Sequence, residues 1–323
     1  MKKILSLICA ILFTNSLVLA QYDFHLNGFQ YIVIDNGSVA VWNCYNNQDT
    51  LIIPDVVTFN NVKYTVVEIA GGAFMWRDDI ISVIIPNTVT SIGESAFQEC
   101  ENLSSVVMPN SITNIGSWAF TYCHNLTSFT IPDSVTHIGA AIFGSCTNLT
   151  TLDYNARNCN GVSVGTNHPF SYSSISTINI GDDVEKIPEN FLYDMDSITT
   201  INFSNNITHI GKKAFAYYDN FTTLNLPDSI THIGEEAFLE CDNLSSITLT
   251  NNLTYIGIGA FKGCGSLNSI TIPNNVTRID DEAFEDCINL NSVDFLTNNL
   301  TYIGDGAFKN CTSLNTFVVP NSV

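Results

Sequence analysis

The sequence predicts a β-rich repeat solenoid of about eleven coils, each of ~23 residues, stacked behind an N-terminal β-hairpin cap. Three observations predict it. A phenylalanine returns at positions 74, 97, 120, 143, 170, 191, 215, 238, 261, 284 and 308, at intervals of 23, 23, 23, 27, 21, 24, 23, 23, 23 and 24. Between markers, short runs such as Ser105-Val106-Val107-Met108 alternate with a period of two, as a strand with one face inward does. Many of these runs stop at Pro-Asn or Pro-Asp, because proline lacks the N–H that a ladder needs.

One coil can be read from Phe97 to Phe120. The Ala-Phe-x-x-Cys stretch has helical spacing and is expected as one short helical turn. The strand follows, then Pro109-Asn110, then Ile112, Ile115 and Gly116. The corner glycine is expected to supply a positive φ. A unit this short cannot bury its own apolar side chains, so coils must stack and equivalent residues must form ladders. Phenylalanine makes one ladder; Leu103, Leu126, Leu149, Phe221, Leu244, Leu267, Leu290 and Leu314 make another.

The ends differ from the repeat. Residues 1–20 combine Lys2 and Lys3, the apolar run Ile4–Phe13, and Val18 and Ala20 at a small-residue cleavage site, the pattern of a cleavable signal peptide. A secreted or cell-surface protein starting at Gln21 is expected. No later run is apolar enough to span a membrane. Residues 21–68 form the cap, with one hairpin turning at Asn36-Gly37 between Phe29–Ile34 and Val39–Cys44. A second turns at Asn60-Asn61. Residues 69–323 form the solenoid, with an irregular protruding loop over 155–169. Pro320-Asn321-Ser322-Val323 falls in mid-unit, so either a fragment or the lack of a C-terminal domain or surface anchor is expected.

The register Ile-Pro-Asp-Ser-Val-Thr-x-Ile-Gly at 131–139, continued by Ala-Phe-x-x-Cys-x-Asn-Leu at 283–290, resembles the BspA-like class of bacterial leucine-rich repeats. The resemblance covers roughly residues 69–323. It implies a leucine-rich-repeat solenoid with strands on one side and short turns on the other. It also implies surface or secreted proteins that adhere to host proteins, matrix or other cells. Departures from the register stand at Ile142 and Asn190, where alanine is expected before phenylalanine, and at Asp280, where glycine is expected.

Charge narrows the function. There are 31 Asp+Glu against 11 Lys+Arg, a net charge of −20, with only 13% charged residues. Such a chain cannot neutralise a row of phosphates, so no nucleic-acid partner is expected. Seven cysteines (100, 123, 146, 241, 264, 287 and 311) follow a marker phenylalanine by three residues. Parallel side chains from stacked coils are poorly placed for bridging, so buried free thiols are expected. No Cys-x-x-Cys pair occurs, and no metal or other cofactor is expected.

Two site candidates remain. His209, His232, Tyr255, Arg278 and Tyr302 share one repeat position on consecutive coils, a position that elsewhere holds Ser91, Asn114 and His137. Tyr and Arg are interface anchors, so this row is the candidate partner-binding surface. Beside it, Ser128, Thr130, Thr151, Thr200, Thr223, Ser246, Thr248, Ser269 and Thr271 should form a flat hydroxyl face. The second candidate is the cluster Asp280, Asp281, Glu282, Glu285 and Asp286, with Asp305 on the next coil. Paired carboxylates could hydrolyse glycosides, but no positively charged partner or catalytic base is evident beside them, and no nucleophile or nucleotide motif occurs. A non-enzymatic exported interaction protein that binds a protein or glycan is therefore expected. The alternative is a solenoid-type carbohydrate-active enzyme using the acidic residues 280–286.

Overall fold

The computed structural model describes residues 23–159, 161–165, 168–296 and 298–323; the expected signal segment, 1–20, lies outside the described residues. The chain winds as a parallel solenoid in the expected register, with three backbone ladders running along it. The first is built from the predicted strands and falls into several short parallel sheets, in which Ser82–Ile84 pairs with Ser105–Val107 and Ser128–Ile131 with Thr151–Tyr154. The second is built from two-residue strands: Ser91–Ile92, Asn114–Ile115 and His137–Ile138 in one sheet, and Lys186–Ile187 through Tyr302–Ile303 in another. The third is a ladder of turns around the marker phenylalanines.

Two antiparallel strand pairs precede the first coil. Phe29–Asp35 pairs antiparallel with Ser38–Cys44, and Val56–Phe59 with Val62–Ile69. Ser38–Cys44 and Val62–Ile69 then run parallel, and Val62–Ile69 hands its edge to Ser91–Ile92. The cap thereby converts an antiparallel hairpin into the template for the first coil.

The turn ladder is not helical. Among the described residues there is no α-helix. The Phe97 coil shows why. Ala96, Gln98 and Cys100 donate to carbonyls three residues back in their own coil. Ser95, Phe97 and Glu99 instead donate to Ser117, Ala119 and Thr121 of the next coil, at 2.8–2.9 Å. This alternation needs left-handed backbone two residues before and two after the phenylalanine, with φ of 55° at Ser95 and 59° at Glu99. An L residue there costs about 1–2 kcal/mol, and a helix cannot continue through it. The same positions carry Gly259 and Gly263, at φ 57° and 75°.

The corner glycine has a different role from the one expected. Gly93, Gly116, Gly139 and Gly257 are not at positive φ. What forbids a side chain is the neighbouring coil. A Cβ on Gly116 would lie 2.5 Å from the Glu94 nitrogen, and one on Gly257 would lie 2.8 Å from the Gly234 carbonyl carbon. Glycine lets two backbones touch.

Inside, Phe74, Phe97, Phe120 and Phe143 stack with centroids 5.2, 5.4 and 6.1 Å apart. Phe215, Phe238, Phe261, Phe284 and Phe308 form a second stack at 5.2–5.4 Å. Between the stacks the register slips by one. Asn190 and Asp194 carry the positive φ, and Leu192 donates to Ala214 as a marker should. Leu192 therefore fills the phenylalanine position. Phe191, not Asn190, stands in the alanine position, with its ring edge-on to Tyr154 at 4.8 Å.

Several described residues of the expected loop 155–169 are packed against the coils. Ala156, Cys159, Val162 and His168 are buried, and Gly161 bridges to Glu189. His168 is wholly enclosed: its Nδ1 accepts from the Phe170 amide at 3.1 Å and its Nε2 faces the Phe191 carbonyl at 3.0 Å. Desolvation lowers its pKa to about 4.

The cysteines among the described residues are buried and free. Each ladder thiol donates to the marker carbonyl of the preceding coil, as Cys123 does to Phe97 at 3.2 Å and Cys264 to Phe238 at 3.1 Å. Tyr218 takes one such position and sends its hydroxyl to Ile198.

Candidate functional site

The threonine of the Val-Thr-x-Ile-Gly register positions the candidate row. Thr208, Thr231, Thr254 and Thr277 each donate their hydroxyl to the carbonyl of Glu185 or the threonine one coil back, at 3.0–3.4 Å. The next residue begins the two-residue strand and turns outward, and the isoleucine after it turns into the core. The result is one unbroken ladder in exact parallel register: Lys186, His209, His232, Tyr255, Arg278 and Tyr302. The five predicted residues are thus neighbours in space, with Lys186 as a sixth member that its place in the disturbed register concealed.

Local bonds fix the side chains. The imidazoles of His209 and His232 lie 4.4 Å apart and nearly parallel, at 8°. Each Nδ1 sits 2.8 Å from the hydroxyl of its preceding threonine. Since that hydroxyl gives its proton to a carbonyl, Nδ1 carries the imidazole proton and Nε2 is left to accept. Burial, the His232 imidazole and the Lys186 ammonium lower the His209 pKa, in that order.

Farther along, Asp280 organises three neighbours. It is 5% exposed and stands at the corner position of glycine. Tyr255, one coil back, donates its hydroxyl to Oδ2, and Arg278 donates Nε to Oδ1. Arg278 then lays its guanidinium 4.0 Å over the Tyr302 ring. Burial and the Asp280 carboxylate push the Tyr255 hydroxyl up to about 12. The departure at Asp280 was visible in the sequence; its role in aiming Tyr255 and Arg278 was not, because those partners lie on two different turns of the chain.

The acidic cluster is more heavily paired than expected. Contrary to the expectation, cations do stand beside it, supplied by neighbouring coils that sequence proximity does not show. Lys262 reaches Glu282 at 2.7 Å and Glu285 at 2.6 Å, and Lys309 also pairs with Glu285. These two ammonium groups lower the Glu285 pKa to about 2. Asp286 accepts from Asn310, and Asp281 from the Asp305 amide, as the expected placement of Asp305 requires. The carboxylates are thus engaged in tying coils together.

The repeat register decides the family. The BspA-type leucine-rich-repeat pattern matches residues 67–165, 158–218 and 208–323, in six copies. The chain belongs to the BspA-type leucine-rich-repeat family. Solved structures similar to this BspA-type chain include a leucine-rich repeat protein from Bacteroides ovatus, 22% identical, covering 91% of this chain and 93% of that one, with a TM-score of 0.40. A leucine-rich cell-surface protein from Faecalibacterium prausnitzii is 24% identical, covering 90% and 93%, with a TM-score of 0.39. A leucine-rich repeat protein from Eubacterium ventriosum is 20% identical, covering 94% and 91%, with a TM-score of 0.45. No curated protein matches the chain. Membership in the BspA-type family supports a repeat-based interaction role. Among the described residues, no helix is long and apolar enough to cross a membrane, and no group of three metal-ligating side chains occurs.

Proposed function

We propose that this BspA-type chain is an exported or cell-surface adhesion protein that grips an acidic segment of a partner protein along the ladder from Lys186 to Tyr302. One observation carries the reading: six large polar or aromatic side chains stand in register on consecutive strands, and the buried Asp280 aims two of them. Pre-oriented Tyr and Arg side chains bind with less entropy loss than free ones. On a chain of net charge −20, the ladder gathers the cations Lys186 and Arg278 and presents no carboxylate of its own at these positions. A partner offering carboxylates complements it.

The test is capture from host matrix and cell-surface extracts by immobilised chain 21–323. The variant Tyr255→Ala/Arg278→Ala/Tyr302→Ala should lose roughly tenfold or more of the captured partner while keeping its thermal midpoint. Equal capture by a folded variant rejects the ladder as the binding surface.

A further inference from the structure

A second surface lies on the turn ladder, away from the row just described. Two residues after each marker, the outward position alternates along the solenoid. Trp76, Tyr122, Tyr172 and Tyr217 occupy every second coil, and all four are exposed, at 39, 42, 67 and 41%. Glu99, Ser145 and Asp194 fill the coils between them. Backbone bonds on the turn ladder join most of these coils: Trp76 donates to Gln98, Glu99 to Thr121, Tyr122 to Gly144, Ser145 to Tyr172 and Asp194 to Ala216, at 2.8–3.0 Å, while the coils of Tyr172 and Asp194 meet where Thr177–Asn179 pairs with Thr200–Asn202.

These rings are not there for folding. All four sit at left-handed φ, between 58° and 63°, where a bulky residue is an outlier. The same position is filled by Gly263 and Asn310 in later coils, residues that accept such a backbone readily. Strained exposed residues that the scaffold could replace by glycine point to a use of their side chains.

We propose that this ladder binds an extended, neutral, β-linked glycan, whose pyranose faces lie on the rings of Trp76, Tyr122, Tyr172 and Tyr217. At ~4.8 Å per coil, rings two coils apart are about 10 Å apart. That matches the disaccharide repeat of an extended β-linked chain, in which every second sugar presents the same face. Rigid aromatic side chains supply broad contact area at low entropic cost. The polar side chains of Glu99, Ser145 and Asp194 lie between the rings, where they can accept from or donate to sugar hydroxyls. Tyr193 buttresses Tyr217, ring edge to face at 5.2 Å. The acidic spacers and the net charge of −20 disfavour a uronate or sulfated chain.

The probes are cellohexaose, xylohexaose, mannohexaose and chitohexaose, each with its disaccharide, and polygalacturonate as the acidic control. Binding to chain 21–323 is read by titration calorimetry and by tryptophan fluorescence, since Trp76 is in the row. At least one neutral hexasaccharide should bind, roughly tenfold or more tighter than its disaccharide, and polygalacturonate should not. Tyr122→Gly/Tyr172→Gly/Tyr217→Gly should weaken binding roughly tenfold or more with an unchanged or higher thermal midpoint, because glycine suits the backbone there. If the triple variant does not fold, Tyr172→Gly alone is read for a threefold or greater loss. Failure of every neutral hexasaccharide to bind, a flat dependence on length, or undiminished binding by the folded variants overturns the proposal. So does a protein partner that depends on these rings when no glycan does.

Discussion

Tyr255 hydrogen-bonds across a coil boundary to Asp280, which stands at the position that Gly257 and Gly304 occupy in the flanking coils. The repeat register has been interrupted at one corner, and the inserted carboxylate holds the hydroxyl of one ladder member and the guanidinium of another. Reverting it should separate function from fold. In Asp280→Gly the repeat residue returns, so unfolding stability should stay within about 1 kcal/mol of the parent, the worth of a partly exposed hydrogen bond. Tyr255 should then titrate below its value of about 12, because the carboxylate that opposes its ionisation is gone. Difference ultraviolet titration against Tyr255→Phe reads this directly. An unmoved phenol would mean that burial alone raises it.

The two kinds of glycine make different demands, and paired substitutions should expose them. In Gly257→Ala the new methyl meets the Gly234 carbonyl carbon at 2.8 Å and the Glu235 nitrogen at 2.9 Å, so two coils must part. A loss toward the upper end of about 1–3 kcal/mol is expected. In Gly259→Ala the nearest atom is the flexible Glu236 Cγ at 3.3 Å, and only the φ of 57° resists. Glu236 and Glu282 already tolerate that backbone one coil away on either side, so about 1 kcal/mol is expected. Denaturant midpoints of the two variants decide it; equal losses would contradict the assignment of the corner glycine to close approach.

The legible parts of this fold are those encoded by residue type. Phenylalanine, leucine and proline marked the coils because burial and a missing N–H leave no substitute, and Asn36-Gly37 marked the hairpin because few residues accept its turn. The turn ladder has helical spacing in the sequence without being helical, because its left-handed positions hold Ser95, Glu99, Trp118 and Lys213 as well as glycine. Stacking between coils imposes that backbone against local preference, and local sequence carries no trace of it. Phe191 misled for a related reason: Leu192 is apolar enough to fill the marker site, so the residue that looks like the marker is its neighbour. The ladder from His209 to Tyr302 was readable from periodicity alone. Lys186, the Tyr255 partner of Asp280 and the partners of Glu285 were not, since each depends on which coils touch.

The thiol ladder gives a prediction about reactivity. Burial pushes Cys100 and Cys146 up to about 12, and each thiol proton is engaged by a carbonyl. Thiolate is the reactive species, so the seven ladder cysteines should resist alkylation in the native chain at neutral pH. All seven should react in denaturant without added reductant. A count that rises only after reduction would show disulfides in the ladder.

His168 sets a pH window for stability. Its folded pKa of about 4 lies below the ordinary 6.5, because the enclosed imidazole is costly to charge. The unfolded chain therefore binds a proton on this residue at a pH where the folded chain does not. The stabilisation from the neutral, enclosed ring is full above about 6.5, falls as pH drops toward 4, and is exhausted below it. The size is about 3 kcal/mol over the window. Glu285 acts in a lower window: held down to about 2 by Lys262 and Lys309, its contribution is lost as pH falls from its ordinary 4.5 toward 2. The two can be told apart by denaturation of the parent and of His168→Gln across pH 3 to 8. The variant should be less stable than the parent at neutral pH, because it gives up the ring that bridges Phe170 and Phe191, and the gap should narrow between pH 6.5 and 4. Parallel curves through that interval would show that His168 is protonated at the same pH in both states, and that the segment enclosing it opens to water.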